Sequence, residues 1–315
     1  MGGILESTKF VTDNALSVTI NAARAGEYAR RFDHGSTRHW LSAAPFDFSG
    51  FTNEEKLHFL FLFNALSFSY WGEPKWTVEY SGKEYDGAWG MIVALGHAVK
   101  TGCPILEAAY CSDISFESFS NVLKGNVDIP LLEQRWSMIR QLGSFAMQQP
   151  LGTLVKSANG EALVLLDLIL EVLPSFRDES EYQAQTVCFQ KRAQLLVSDI
   201  YHIFGSVGYG NLRGVDRLTA CADYKLPQIL RKLGILEYSK DLSGQIDAKN
   251  ELAHGSLEEI EIRASAIQAI DLIKNEVQKQ NPFITSMEIN YHLWLMTQKK
   301  FSDDKPYHRT RTTAY

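Results

Sequence analysis

The stretch Thr52-Asn53-Glu54-Glu55-Lys56-Leu57-His58-Phe59-Leu60-Phe61-Leu62-Phe63 reads as a helix N-terminus running into a buried helix. Asn53 suits the N-cap, and Glu54 and Glu55 fall in the first turn, where the helix dipole favours acids. From Leu57 to Phe63 nearly every face is apolar, and a helix apolar all round is one enclosed by other elements. The helix is expected to continue through Leu66-Ser67-Phe68-Ser69-Tyr70-Trp71. Aromatics alternating with hydroxyls there suit either core packing or the wall of a pocket for a flat heterocycle.

Helical spacing recurs on both sides. Ser7 or Thr8 is the candidate cap of a first helix, and Asn14 to Phe32 carries apolar residues near helical spacing. The cluster that follows, Arg30 to His34 with Arg38-His39-Trp40, reads as a solvated helix end or, alternatively, a ligand site. Further helices are expected at Ala88 to Val99, Ser115 to Leu123, Leu131 to Met147, Thr153 to Leu173 and Ala184 to Phe204. Leu226 to Leu236, Ala253 to Lys279 and Ile289 to Lys299 complete the set. Gly102 suits a glycine C-cap, and Pro174 to Asp178 a turn. One segment, 76–85, reads differently: Trp76 to Tyr80 and Lys83 to Tyr85 flank Ser81-Gly82, a two-residue hairpin turn. The expected fold is mostly α, a single helical domain over 1–315 with a small β-hairpin insertion.

Composition bounds the function. The chain has 315 residues, 45% hydrophobic and 22% charged, as in a globular protein with a sizeable core. Its net charge of -6 argues against a grip on polymeric nucleic acid, which calls for a basic surplus. The four cysteines, Cys103, Cys111, Cys188 and Cys221, form no CxxC pair, so zinc-ribbon spacing is absent and a reducing compartment is expected. The first residues show no signal peptide, and the longest apolar stretch, Ala162 to Leu173, is interrupted by Asp167 and Glu171. The expectation is a soluble cytoplasmic protein with no membrane association. Val207-Gly208-Tyr209-Gly210 lacks the βαβ context of a dinucleotide fingerprint, and neither a P-loop nor a Gly-x-Ser-x-Gly elbow occurs.

The stretch with most chemistry is Thr219-Ala220-Cys221-Ala222-Asp223-Tyr224-Lys225-Leu226-Pro227-Gln228. Pro227 belongs in the first turn of a helix, which places Asp223 and Tyr224 just ahead of its N-terminus. A carboxylate there gains from the helix dipole. Two readings stand side by side: Asp223 caps the helix, or it does chemistry.

Seven stretches taken in order carry a resemblance. They are Leu66 to Trp71, Pro174 to Asp178, Lys191-Arg192-Ala193-Gln194, Ala222 to Gln228, Glu261-Ile262-Arg263, Tyr291-His292-Leu293-Trp294 and Tyr307-His308-Arg309-Thr310-Arg311. Together they resemble the queuosine salvage family, the queuosine 5′-phosphate N-glycosylase/hydrolases, over nearly the whole chain. The resemblance implies a helical core related to helix-hairpin-helix DNA glycosylases. It implies hydrolysis of the N-glycosidic bond of queuosine 5′-monophosphate to queuine and ribose 5-phosphate, with no metal or organic cofactor. It also implies that Asp223 sits at the sugar and that Lys191 belongs to the site.

The chemistry is consistent with those roles. Cleaving the bond builds positive charge on the ribose, and a fixed carboxylate near C1′ stabilises that charge and can activate water. Lys191 would support the carboxylate, or meet the phosphate or ribose; read by itself it is a surface lysine. Queuine is a 7-deazaguanine, so its position 7 is a carbon and cannot take a proton. Negative charge on the departing base must instead be met at its edge, by residues within Glu288 to Trp294, among them Asn290 and Tyr291. Phe68, Trp71, Tyr224 or Trp294 could stack on the base. His308, Arg309 and Arg311 could hold the phosphate or the C-terminal fold. The chain departs from the family pattern at Cys221, Ser67, Asn290 and Leu295, where a large apolar residue, an Asn and two Asp are usual. Two other readings are a non-catalytic binder of queuine or a related nucleotide, and a glycosylase acting on a base within nucleic acid. Oligomeric state is not encoded in any of these patterns.

Overall fold

The computed structural model describes residues 3–33, 35, 37–299 and 301–315. The described residues are organised as α1 (Ile4–Asn14), α2 (Ala22–Arg30), α3 (Asn53–Leu66), α4 (Gly87–Lys100), α5 (Ala108–Asp113), α6 (Phe116–Val122) and α7 (Leu132–Gln148). Then come α8 (Leu151–Ser157), α9 (Ala162–Val172), α10 (Lys191–Ile203), α11 (Lys225–Lys232), α12 (Lys240–Asp247), α13 (Leu257–Val277) and α14 (Ser286–Met296). Six short strands pair antiparallel: β1 (Val18–Ile20) with β6 (Leu236–Tyr238), β2 (Thr77–Tyr80) with β3 (Lys83–Asp86), and β4 (Glu179–Tyr182) with β5 (Gln185–Cys188). The architecture is thus mostly α, as expected.

α3 is enclosed, with Leu57 and all residues from Phe59 to Leu66 buried. Its cap is Thr52 rather than Asn53. Thr52 Oγ1 accepts from Glu55 N at 3.2 Å, and the Glu55 carboxylate accepts from Thr52 N at 2.7 Å, a reciprocal capping box. The helix ends at Leu66 instead of running to Trp71. Two buried guanidiniums take the carbonyls at its C-terminal end: Arg192 donates to Ala65 O at 2.7 Å, and Arg135 donates to Phe68 O. Ser69 turns the chain at φ 34°, so 67–71 leaves the helix as an irregular segment.

Other departures have similar local causes. The span expected as one helix from Thr153 to Leu173 breaks at Asn159 and Gly160, with φ of 51° and 74°, into α8 and α9. The span from Ala184 to Phe204 begins as β5 and becomes α10 only after Gln190 turns at φ 51°. The span from Leu226 to Leu236 stops at Lys232, and Gly234 at φ 69° redirects the chain into β6. β6 pairs with β1 inside the segment expected to be helical from Asn14 to Phe32. Asn21, not Ser7 or Thr8, supplies the first side-chain cap, and Thr8 instead bonds back to Ile4 O at 2.7 Å inside α1. The hairpin forms as expected, with Ser81 and Gly82 at φ 52° and 73°. Of the charged cluster at 30–40, His34 lies outside the described residues.

Two large apolar clusters result. One gathers around α3, α4, α7, α9 and α10, the other around α13 with α1, α2 and α11. A small third cluster, Trp71, Tyr224, Ala314 and Tyr315, lies beside a cavity whose wall draws on all three.

Candidate active site

The cavity has a volume of about 930 Å³. That lies within the range of small-molecule sites, roughly 300–1,000 Å³. Asp223, Lys191, Phe68, Trp71, Cys221, Tyr224, Asn290, Tyr291, Trp294 and Arg309 all line it. Residues from five separate stretches of sequence are therefore brought to one place. His308 is not on the wall. It is buried, with Nε2 3.2 Å from Tyr315 Oη, and burial followed by the Arg263 charge pushes its pKa down to about 3. Arg311 is also off the wall: it donates to Trp71 O at 3.2 Å and lies over the indole at 3.6 Å.

The capping reading of Asp223 holds. Its Oδ1 accepts from Lys225 N at 2.8 Å and Leu226 N at 3.0 Å, which caps the first turn of α11. Among the described residues both side-chain hydrogen bonds fall on Oδ1. One oxygen holds the carboxylate in place while the group faces the cavity.

The segment before it, Thr219 to Ala222, is buried yet belongs to no helix or strand. Its backbone polar groups must find partners elsewhere. Three helices supply them. Gln194 of α10 accepts from Thr219 N at 2.8 Å, Asn290 of α14 accepts from Cys221 N at 3.1 Å, and Arg263 of α13 donates to Ala222 O at 3.0 Å. Asn290 thereby has its Oδ1 engaged by protein, and its amide lines the cavity. Burial pushes the Cys221 thiol up to about 12, so it acts as a small apolar wall group.

Lys191 is not the surface lysine its position alone suggested. It opens α10 with only 7% of its surface exposed. Its backbone N donates to Asp178 Oδ2 at 3.1 Å. The residue lines the cavity.

The aromatic lining falls into two parts. Deep in the wall, Trp40 meets Trp294 edge-on at 5.5 Å. Trp40 is fixed by its Nε1 donating at 2.8 Å to Asp199, a buried carboxylate that also accepts from Asn64 Nδ2 at 3.0 Å and lies 3.1 Å from His39 Nε2. Nearer the chain end, Tyr224 and Tyr307 rings sit 4.8 Å apart, and Trp71 Nε1 donates to Thr310 O at 3.2 Å. Burial raises the Tyr224 phenol well above its ordinary pKa.

Sequence reading missed Trp40, Lys225, Tyr307 and Tyr315 on this wall. Trp40 lay in a cluster read mainly as a solvated helix end, and Asp199, its anchor, is far away in sequence. Lys225 was in plain view, two residues after Asp223. Its amine lies over the Tyr307 ring at 5.0 Å, and burial followed by the Lys75 charge pushes its pKa down.

The wall is richer in cations than the chain as a whole. Lys75, Lys191, Lys225, Lys232, Lys249, Lys299, Lys305 and Arg309 outnumber Glu73, Asp86, Asp223, Asp303 and Asp304. Several pair near the rim: Lys232 with Asp304 at 2.6 Å, Lys75 with Asp86 at 3.1 Å, and Arg309 with Glu73. Among the described residues no group of His, Cys, Asp and Glu is disposed to hold a metal, and no helix is long and apolar enough to cross a membrane.

A mostly helical protein with an aromatic cavity, a fixed carboxylate and a cationic surround belongs to the class that binds small anionic, ring-containing molecules. The family model for queuosine salvage protein matches residues 49–315, and the chain belongs to that family. It is 32% identical to the queuosine 5′-phosphate N-glycosylase/hydrolase of Sphaerobacter thermophilus, over 99% of this chain and 98% of that one. The protein of the same name from Mus musculus is 32% identical, with 98% of each chain covered. That from Schizosaccharomyces pombe is 30% identical, over 93% of this chain and 91% of its own.

Proposed function

We propose that the chain, acting as one domain over 1–315, hydrolyses the N-glycosidic bond of queuosine 5′-monophosphate. Water adds to C1′, the bond from C1′ to the base nitrogen breaks with its electron pair going to the base, and the proton lost by water ends on queuine. Ribose 5-phosphate is the other product. The reaction would feed queuine salvage for tRNA modification. The observation that carries the reading is the shared cavity: Asp223 and Lys191 line it together with the aromatic wall, and the relatives named for this reaction match nearly end to end.

The roles follow from charge development. Asp223 stabilises the positive ribose and accepts the proton of the attacking water. Its two bonds from α11 fix Oδ1, so little reorganisation accompanies the reaction. The Lys191 amine orients the ribose or the water beside it. Asn290 and the backbone around it face the base edge, while Phe68, Trp71, Tyr224, Tyr291 and Trp294 supply stacking surface. Lys225 and Arg309 take the 5′-phosphate. Lys225 and Asp223 line the same cavity, so one nucleotide could present its phosphate to the first and its ribose to the second. Tyr307 completes that corner. The partner is thus a single small nucleotide, with no polymer and no cofactor in the reaction as written.

The test is mass-spectrometric detection of free base from queuosine 5′-monophosphate, beside free queuosine, GMP and 7-deaza-GMP. Release of queuine from the queuosine nucleotide, fastest of the four, supports the assignment. Binding of queuine without release from any of them overturns it and leaves a binding protein.

A further inference from the structure

Arg263 is not itself on the cavity wall, although it packs against Tyr315, which is, at 4.1 Å. Its guanidinium bonds the segment before Asp223 and, through Asp178, reaches the backbone of Lys191. Its Nε donates to Ala222 O at 3.0 Å, the residue immediately before Asp223. Its Nη1 and Nη2 donate to Asp178 Oδ1 and Oδ2 at 2.8 and 2.6 Å. Asp178 Oδ2 in turn accepts from the backbone N of Lys191 at 3.1 Å. A continuous chain of hydrogen bonds therefore runs from Lys191 through Asp178 and Arg263 to the Asp223 segment. All its side chains are buried.

The surroundings hold the guanidinium in a single orientation. Phe189 and Tyr315 lie against it at 3.9 and 4.1 Å, and Glu259 lies at 3.6 Å. Its planar fork faces one carboxylate with two donors and keeps a third, Nε, for a carbonyl in another segment. A lysine has no such fork and cannot make all three bonds in that geometry. Capping α11 and opening α10 would need none of this. Asp223 already caps α11 through Oδ1, and a helix N-terminus such as that of α10 can be satisfied by many acceptors.

We propose that Arg263 is a positioning residue that sets the separation of Lys191 and Asp223, with Asp178 as its relay. The proposal rests on the reading of those two residues as the reacting groups. The residue is expected to act on the chemical step and to leave the binding of the base to Phe68, Trp71, Tyr224 and Trp294, to none of which it is hydrogen-bonded.

The experiment compares wild type, Arg263→Lys and Asp178→Asn, each checked by thermal melting. It measures kcat and KM for queuosine 5′-monophosphate and Kd for queuine. The expected result is a fall of about 100-fold in kcat for both variants, with queuine Kd within about 3-fold of wild type, since a small misplacement of catalytic groups costs on that order. A folded Arg263→Lys protein with kcat within about 3-fold of wild type overturns the proposal. So does a parallel loss of kcat and queuine affinity, which marks a general structural role. A second readout needs no turnover. Lysines are dimethylated with ¹³C, and the Lys191 resonance is assigned with Lys191→Arg. Arg263→Lys shifts that resonance if the relay positions it, and an unmoved resonance overturns the proposal. If wild type releases no base, the proposed reaction fails, while the resonance still decides whether Arg263 governs Lys191.

Discussion

Replacing Asp223 in two ways separates its two jobs. Asp223→Asn keeps a carbonyl oxygen where Oδ1 stands, and so keeps the bonds from Lys225 N at 2.8 Å and Leu226 N at 3.0 Å. Asn and Asp cap helices about equally well, so the expected stability change is below about 1 kcal/mol. Asp223→Ala removes both bonds and is expected to cost about 1–2 kcal/mol. Both variants lose the negative charge. Removing a preorganised electrostatic group costs about 10²–10³ in rate, and removing a general base about 10²–10⁴. In the proposed reaction one carboxylate serves both ends, so the effects overlap rather than multiply. A loss of at least about 10³ in kcat is expected, roughly 4 kcal/mol of barrier. The two variants should therefore agree in kcat and differ in stability. Queuine release by mass spectrometry gives the first quantity, and urea unfolding the second. An Asp223→Asn protein retaining kcat within about ten-fold of wild type would refute the catalytic role. Equal destabilisation by both substitutions would refute the capping role of Oδ1.

Four further outcomes are expected. Lys191→Ala should lower kcat/KM for the nucleotide by at least about 100-fold, and an unchanged value would return Lys191 to a passive wall position. Lys225→Met should raise KM for queuosine 5′-monophosphate and leave that for free queuosine nearly unchanged; equal effects on both would move the phosphate elsewhere. Gly143→Ala should destabilise α7 against α5 by about 1–3 kcal/mol without touching the site, because an added Cβ would lie 2.4 Å from Ser112 N and 2.7 Å from Cys111 C, both backbone atoms; a urea midpoint equal to wild type would refute that packing. Finally, burial first, then the neighbouring His39, pushes His202 down to about 4, and burial with Arg263 pushes His308 down to about 3. Both folded values lie below the ordinary histidine value, so the unfolded chain binds the extra protons, and stability is full above about pH 6.5 and lost as pH falls toward 4. Urea midpoints between pH 7.5 and 4.5 should fall accordingly, and less steeply in His308→Gln; identical slopes in the two proteins would contradict the burial of His308 as a neutral ring.

The helical body was legible because α3 is apolar on every face, and the hairpin because Ser81-Gly82 sits between alternating runs. The other two strand pairs were not. Each strand has three or four residues, too few for a period to show. β1 and β6 are over two hundred residues apart, so their pairing depends on tertiary packing alone. Helix ends were missed where a residue other than glycine takes a positive φ, as at Asn159 and Gln190. At the site, Asp223 could be placed from Pro227, since a helix start has local rules. Trp40 could not, because its place depends on the buried Asp199 159 residues later. The same holds for Arg263: its motif was visible, but its bonds to Asp178 and Ala222 exist only in three dimensions.

The most direct test of the central claim is a crystal structure of the Asp223→Asn protein with queuosine 5′-monophosphate bound. The expected result places the base against the aromatic wall of Phe68, Trp71, Tyr224 and Trp294, the phosphate at Lys225 and Arg309, and C1′ within about 3–3.5 Å of the side chain at 223 or of a water held by it. A nucleotide bound with its ribose turned toward the cavity mouth, and C1′ out of reach of both 223 and Lys191, would contradict it.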